Sequence, residues 1–189
     1  MFGTQRQFVE RLGGYTVLTT SINTISTGEL FVKRLFDIIG GLVGCVLTGI
    51  LFLFLAPAIK IQSPGPVFFS QIRVGKNGKK FKLYKFRSMY TDAEERKAQL
   101  AAENRVTDGL MFKLDFDPRI IGCRQLPDGT VKKGIGNFIR DWSFDEFPQF
   151  WNVLTGDMSL VGTRPPTEDE WVRYEPHHRS RPAIKPGIT

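Results

Sequence analysis

Asp145 and Glu146 stand side by side in "SFDEFPQFWNVLTGD", residues 143–157, between Phe144 and Phe147. Surface acids usually sit among polar residues, where water screens them, so two adjacent carboxylates in an aromatic stretch need a reason. One reason is a capping box: Ser143 accepts from the amide three residues on, and Glu146 reaches back to the Ser143 amide. Pro148 opposes this, because five residues past the cap it deletes a helical hydrogen bond, and proline prefers the first turn. If the helix starts at Phe147 instead, both acids precede it in its positive field, where a carboxylate stays ionised and phosphate also binds. The other reason is chemistry. An ionised carboxylate can attack phosphorus to give an acyl phosphate, dividing one hard transfer into two easier ones. A neighbouring acid then binds Mg²⁺ together with substrate phosphates and neutralises the charge that would repel the nucleophile. Arg140, and Arg164 in "VGTRPP", are candidates to hold a diphosphate, since a guanidinium contacts phosphate bidentately.

The elements that would position these acids begin with "IIGGLVGCVLTGILFLFLAPAI", Ile38 to Ile59, 22 residues without a charge. As a helix this run is roughly 33 Å long, enough to cross a bilayer. Its flanks are basic on both sides: Lys33 and Arg34 before it, then eight Lys or Arg and no acid from Lys60 to Arg87. Positive charge marks the cytoplasmic side, so both ends read as cytoplasmic. A segment that enters and leaves by one face must bend, and Thr48-Gly49 offers the backbone freedom and a hydroxyl for a freed carbonyl. The expectation is a re-entrant hairpin, with a straight span and a buried core helix as alternatives. Asp37, at the membrane edge, reads as interfacial, paired with Lys33 or Arg34 and without a catalytic role.

"SPGPVFFSQIRVGKNGKKFKLYKFRSM" then reads as a turn at 63–66, a strand near Val67–Arg73, a hairpin turn on Asn77-Gly78 and a second strand near Lys80–Met89. Asn-Gly between alternating segments is a strong hairpin signal. The basic face of this pair either rests on anionic headgroups or is simply solvated, and Arg87 can equally point into an active site. Residues 91–104 read as an exposed helix capped by Thr91, Asp128-Gly129 as a second turn, and "GIGNFIRDW" as a short helix ending near Trp142. Asp115 and Asp117 are the chief rivals as metal carboxylates, read first as ordinary strand or loop acids. Asp157 reads as a turn residue and His177-His178 as an exposed loop.

Composition bounds the rest. The 189 residues, 41% hydrophobic, suffice for one domain plus an accessory segment and exclude a disordered chain. The net charge of +7 calls for an acidic partner. Nothing beyond that charge supports a nucleic-acid binder. The two cysteines, Cys45 and Cys123, are too few and too scattered for a disulfide framework or a zinc site.

Taken together, "KRLFDIIGGLVG", "SPGPVFFSQIRVGKNGKKFKLYKFRSM", "SFDEFPQFWNVLTGDMSLVGTRPP" and "KPGIT" resemble the bacterial sugar transferase family, the monotopic phosphoglycosyl transferases, over about residues 31–189. The resemblance implies an α+β fold: a re-entrant membrane helix hairpin followed by a small cytosolic domain with a β-hairpin and several short helices. It implies transfer of a sugar 1-phosphate from a UDP-sugar to polyprenyl (undecaprenyl) phosphate at the inner face of the bacterial cytoplasmic membrane, with release of UMP. Such a step opens capsular or exopolysaccharide synthesis. Mg²⁺ and a covalent aspartyl-phosphosugar intermediate come with it. By position, Asp145 is the implied nucleophile and Glu146 the Mg²⁺ ligand; Arg140 and Arg164 are implied in phosphate or nucleotide binding, and Arg87 and Lys85 join them as phosphate-binding candidates. Two departures stand out: the family's usual Ser-Pro break is not seen, Thr48-Gly49 and Ile50 occupying that region, and its Pro-Arg-Pro motif reads Thr163-Arg164-Pro165. Family members continue past the point matched by "KPGIT", so the expectation is a truncated chain: 1–29 the tail of a preceding accessory domain or a linker, 30–62 the re-entrant segment, 63–189 an incomplete catalytic domain. The competing reading is a non-catalytic membrane-anchored module that binds anionic lipid or a partner enzyme.

Overall fold

In a computed structural model of the chain, which describes residues 6–12, 15–21, 27–100, 116–173 and 184–188, the apolar run belongs to one long helix, α1 (Thr27–Gln62). The interruption expected at Thr48-Gly49 is absent; helix continues through both residues. The Thr48 hydroxyl lies within hydrogen-bond reach of the Gly44 carbonyl, 2.7 Å, and of the Phe147 carbonyl, 3.0 Å, so it serves an intact turn instead of a broken one. Gly49 costs a helix about 1 kcal/mol relative to alanine, too little to break a helix packed along much of its length.

The chain divides into two compact units, residues 1–36 and 37–189. In the first, β1 (Arg6–Leu12) and β2 (Tyr15–Ser21) pair antiparallel, Arg6 opposite Ser21 and Leu12 opposite Tyr15, ahead of the start of α1. The sequence signal for this pair is Gly13-Gly14 between two alternating runs.

In the second unit, α1 turns one face inward at Asp37, Gly41, Gly44, Thr48, Leu51, Leu55 and Ile59, the three-to-four-residue spacing of a packed helix stripe. Leu55, Ala56 and Ile59 enter a core with Val67, Phe86, Ile121 and Ile139. Asp37 is buried against the protein, where one carboxylate oxygen accepts from Ser159 Oγ and from the Leu160 amide, each at 2.9 Å. The opposite face, including Leu42, Val43, Val46, Ile50, Leu53 and Phe54, is exposed.

Gly44 lets α1 approach the ring of Phe150, whose van der Waals volume a Cβ would enter, whereas a Cβ added at Gly49 would point into open space. Gly44→Ala should therefore lower stability by about 1–3 kcal/mol through overpacking. Gly49→Ala should leave it unchanged or raise it by up to about 1 kcal/mol. Denaturant unfolding of both variants in detergent checks the contrast.

The predicted hairpin is present as β3 (Phe68–Val74) and β4 (Lys80–Phe86), with Phe68 opposite Phe86 and Val74 opposite Lys80. Asn77 (φ 57°) and Gly78 (φ 77°) make its turn. Phe81 and Leu83 are buried beside exposed Lys80 and Lys82, and they form a second core with Val153 and Met158. α2 (Ala93–Gln99) starts after Asp92, not Thr91, with no side-chain cap. A minor hairpin, β5 (Arg124–Gln125) with β6 (Val131–Lys132), surrounds the Asp128-Gly129 turn, and α3 (Ile135–Asp141) follows as expected. α4 (Gln149–Thr155) clamps β4 through Asn152, whose Oδ1 accepts from the Tyr84 amide at 3.2 Å while Nδ2 donates to the Lys82 carbonyl at 2.7 Å. α5 (Glu168–Val172) carries a complete capping box, Thr167 with Glu170. Helices with small two-stranded antiparallel sheets make this an α+β fold.

Candidate active site

Opposite residues of an antiparallel pair share a face. The register therefore puts Phe69, Gln71 and Arg73 of β3 on one side with Lys85, Leu83 and Phe81 of β4. Two of these are long cations pointing the same way as core residues, and an inward cation has to be paired. Lys85 is: its Nζ lies 2.8 Å from Glu146 Oε1 and 3.3 Å from Asp145 Oδ2.

The acids reach it from a single 3-10 turn, Phe144–Glu146. Ser143 adopts a left-handed conformation, φ 55°, and its side chain caps nothing, so the capping box is not formed; the Glu146 amide donates to the Ser143 carbonyl instead, at 3.1 Å. Pro148 occupies the cap position of α4, where its missing N–H costs no hydrogen bond. The flanking phenylalanines fix the turn. Phe144 and Phe147 pack on the first core and meet edge-on at 5.9 Å, and Phe144 also touches Phe138 and Trp142. The Asp145 side chain is 14% exposed and that of Glu146 41%, so the pair consists of a sheltered acid and an outer one.

Both acids line a cavity of about 830 Å³, together with Lys85, Arg73, Arg87, Arg140 and Arg164. Arg140, at the end of α3, and Arg164, in the loop before α5, are exposed. Arg87 is buried and donates to the carbonyls of Ser63 and of Pro64, the latter at 3.2 Å, which ties the "SPGP" turn to the cavity wall. Gly65, at φ 125°, permits this: a Cβ there would stand 2.9 Å from Arg87 Nη1. From the sequence Arg73 counts only as flanking charge; the β3–β4 register is the signal that turns it inward.

The rival acids are occupied elsewhere or outside the described residues. Asp117 uses both carboxylate oxygens on Arg119, at 2.8 Å from Nε and 2.7 Å from Nη2. Burial pushes its pKa up, but hydrogen bonds from Arg119 and the charges of Arg119 and Arg140 outweigh that and hold it below the ordinary value. A depressed folded-state pKa stabilises at pH values above the unfolded value, about 3.9, and that contribution disappears as pH falls through the folded one. The stability gap between wild type and Asp117→Asn, followed by urea unfolding, should thus be constant near neutrality and close below about pH 4. Asp157 accepts from the Thr155 hydroxyl at 3.1 Å, a turn role. Asp115, His177 and His178 lie outside the described residues.

Among the described residues no cluster of three or more His, Cys, Asp or Glu could hold a metal by itself. Mg²⁺, however, commonly takes one or two carboxylates and completes its shell with water and substrate phosphates. The Asp145–Glu146 pair, already bridged by an ammonium, is a donor set of that kind.

The chain matches the family model described as "Bacterial sugar transferase" over residues 28–189. It belongs to the bacterial sugar transferase family. Within this family it is 48% identical over 181 residues to the galactosyl transferase CpsE of Streptococcus agalactiae serotype III, covering 96% of this chain and 37% of that protein. It is 36% identical to the undecaprenyl-phosphate galactose phosphotransferase of Salmonella typhimurium (88% of this chain, 33% of that one). Against the UDP-glucose:undecaprenyl-phosphate glucose-1-phosphate transferase of Escherichia coli K12 the identity is 33% (96% and 34%). The chain thus spans about a third of the length of these sugar transferases.

Proposed function

We propose that this chain carries the catalytic site of an enzyme that moves a sugar 1-phosphate from a UDP-sugar to undecaprenyl phosphate. The observation that carries the reading is the Lys85-bridged Asp145–Glu146 pair lining a cavity with four arginines. An Asp145 oxygen forms a bond to the phosphorus that bears the sugar, and the bond from that phosphorus to the bridging oxygen breaks, releasing UMP. A phosphate oxygen of undecaprenyl phosphate then attacks the same phosphorus, the Asp145 carboxylate leaves, and a diphosphate-linked lipid sugar results. Lys85 keeps Asp145 aimed and stops the two carboxylates repelling each other apart. Arg140 and Arg164 receive phosphate charge, with Arg87 shaping the wall. Glu146, the more exposed acid, would hold Mg²⁺, which when bound neutralises charge on the substrate phosphates.

The acceptor is a membrane lipid, and α1 offers a place for it to arrive. The described helix is long and apolar enough to cross a membrane, with a mean hydropathy of 2.6 over its most apolar stretch. Its apolar run is fastened to one body at both ends, through Asp37 and through Ile59, and presents an unpaired apolar face between them. On this reading the domain rests on the cytoplasmic face of the membrane with both ends of the run on that side, the disposition a re-entrant segment shares. Membranes carrying the chain, given undecaprenyl phosphate and either UDP-galactose or UDP-glucose, should release UMP in an acceptor-dependent way. Absence of UMP release with every UDP-sugar supplied would remove the reading.

A further inference from the structure

Arg73 closes β3 on the cavity side and is nine-tenths buried, at 8% exposure. Its Nη1 donates to the Pro165 carbonyl at 3.1 Å and its Nη2 to Gln71 Oε1 at 2.8 Å, while Nε is buried without any hydrogen-bond partner. A buried guanidinium donor left unpaired is costly, and a cation kept on a cavity wall at that cost suits an anion. The acids near it, Glu170 and Glu146, offset its charge but both have other partners. Glu170 Oε2 is 3.9 Å from Nη1 and already accepts from the Thr167 amide in the α5 cap, and Glu146 is held by Lys85. A second cation faces it from the next loop. Arg164, on the same cavity, makes no hydrogen bond or ion pair with any described residue, and its charge, after burial, is what lowers the Arg73 pKa.

The two guanidiniums are held together on purpose-built backbone. The Val74 amide donates to the Pro166 carbonyl at 3.0 Å and Arg73 bridges to Thr167, so the end of β3 grips the Arg164 loop from one side. From the other side Ser159 and Thr163 pair with Pro186 and Gly187 of "KPGI". Two interacting like charges on one cavity, with the dyad lining it as well, describe a site whose missing partner is an anion.

We propose that Arg73 and Arg164 form the seat for a substrate phosphate, Arg73 through its charge on the cavity wall and Arg164 through its exposed guanidinium. This rests on the transferase reading of the cavity. The ligand chemistry is a phosphate ester, which reaches the cavity either on a uridine nucleotide or on a polyprenyl phosphate. Neutral counterparts separate charge recognition from mere support of the loop through Pro165. Calorimetric binding to the full chain in detergent is compared for UMP against uridine and for farnesyl phosphate against farnesol.

Arg73→Gln should weaken UMP or farnesyl phosphate by about tenfold or more and leave uridine and farnesol unchanged; which phosphate loses affinity names the source. Arg73→Lys, which keeps a charge and a donor for Pro165, should show a smaller loss of the same kind and serves if the glutamine variant does not fold. Equal losses for the phosphate and its neutral counterpart, or no loss for either phosphate, would overturn the seat. If the wild-type chain binds neither phosphate, the transferase reading falls with it; if it binds and Arg73 variants bind equally, only the seat falls.

Discussion

Asp145→Asn should abolish UMP release, by a factor on the order of a thousand or more, while the variant stays folded and membrane-bound. The size follows from the proposed role: without that nucleophile the two-step route would be closed, and the surrounding charges alone would not replace it. Asparagine keeps the shape of the side chain and removes only its charge, so the aromatic frame of Phe144 and Phe147 is untouched and the unfolding transition should move little. The lost contact with Lys85, 3.3 Å long, is the weaker of that lysine's two. A non-catalytic membrane module would behave differently. It would have no activity to lose, and its lipid binding would be the same in both proteins. Steady-state UMP release, with vesicle sedimentation beside it, separates the two readings.

Lys85→Met is the second large effect, expected to lower kcat/KM by about a hundredfold. The methionine fills the same space on the inner face of β4 but leaves two adjacent carboxylates with no cation between them. Coulomb repulsion at that range, in a partly dehydrated cavity, is several-fold stronger than in water, so Asp145 is no longer held toward the cavity. Two further readouts distinguish this from simple damage. Divalent-cation affinity, measured by calorimetry with Mg²⁺ alone, should rise, because the ammonium that competes for the acids is gone. Lys85→Arg should recover part of the activity, since a guanidinium can still span both acids. Unchanged kcat/KM in the methionine variant would mean that Lys85 only decorates the pair.

What could be read from the sequence was local. Asn77-Gly78 with alternation in "KFKLYKF" gave the β3–β4 hairpin, Gly134 to Trp142 gave α3, and the awkward position of Pro148 already argued against a helix running through the acids. The dyad drew notice through its neighbours, and the structure shows those phenylalanines as the anchors of the turn. What could not be read depended on distant partners or on backbone that the residue type does not announce. Asp37 looks like an edge charge until Ser159 and Leu160, more than 120 residues away, are brought to it. Ser143 in the left-handed region carries no signature, because non-glycine residues are uncommon there. Thr48-Gly49 suggested a break, but local glycine freedom lost to packing along the inward stripe of α1. Arg73 was legible in principle: once β3 and β4 are in register it shares a face with Leu83 and Lys85, and an inward arginine asks for an anion.

The central claim is that the Asp145 carboxylate takes the sugar phosphate before the lipid does. Its most direct test is to incubate the purified chain with a UDP-sugar labelled at the phosphorus next to the sugar, without acceptor, and map the label by peptide mass. The expected result is one phosphosugar on the peptide holding Asp145, labile to hydroxylamine, discharged on adding undecaprenyl phosphate and absent from Asp145→Asn. UMP release by the wild type without any such adduct under trapping conditions, or the same adduct on the asparagine variant, would contradict the account.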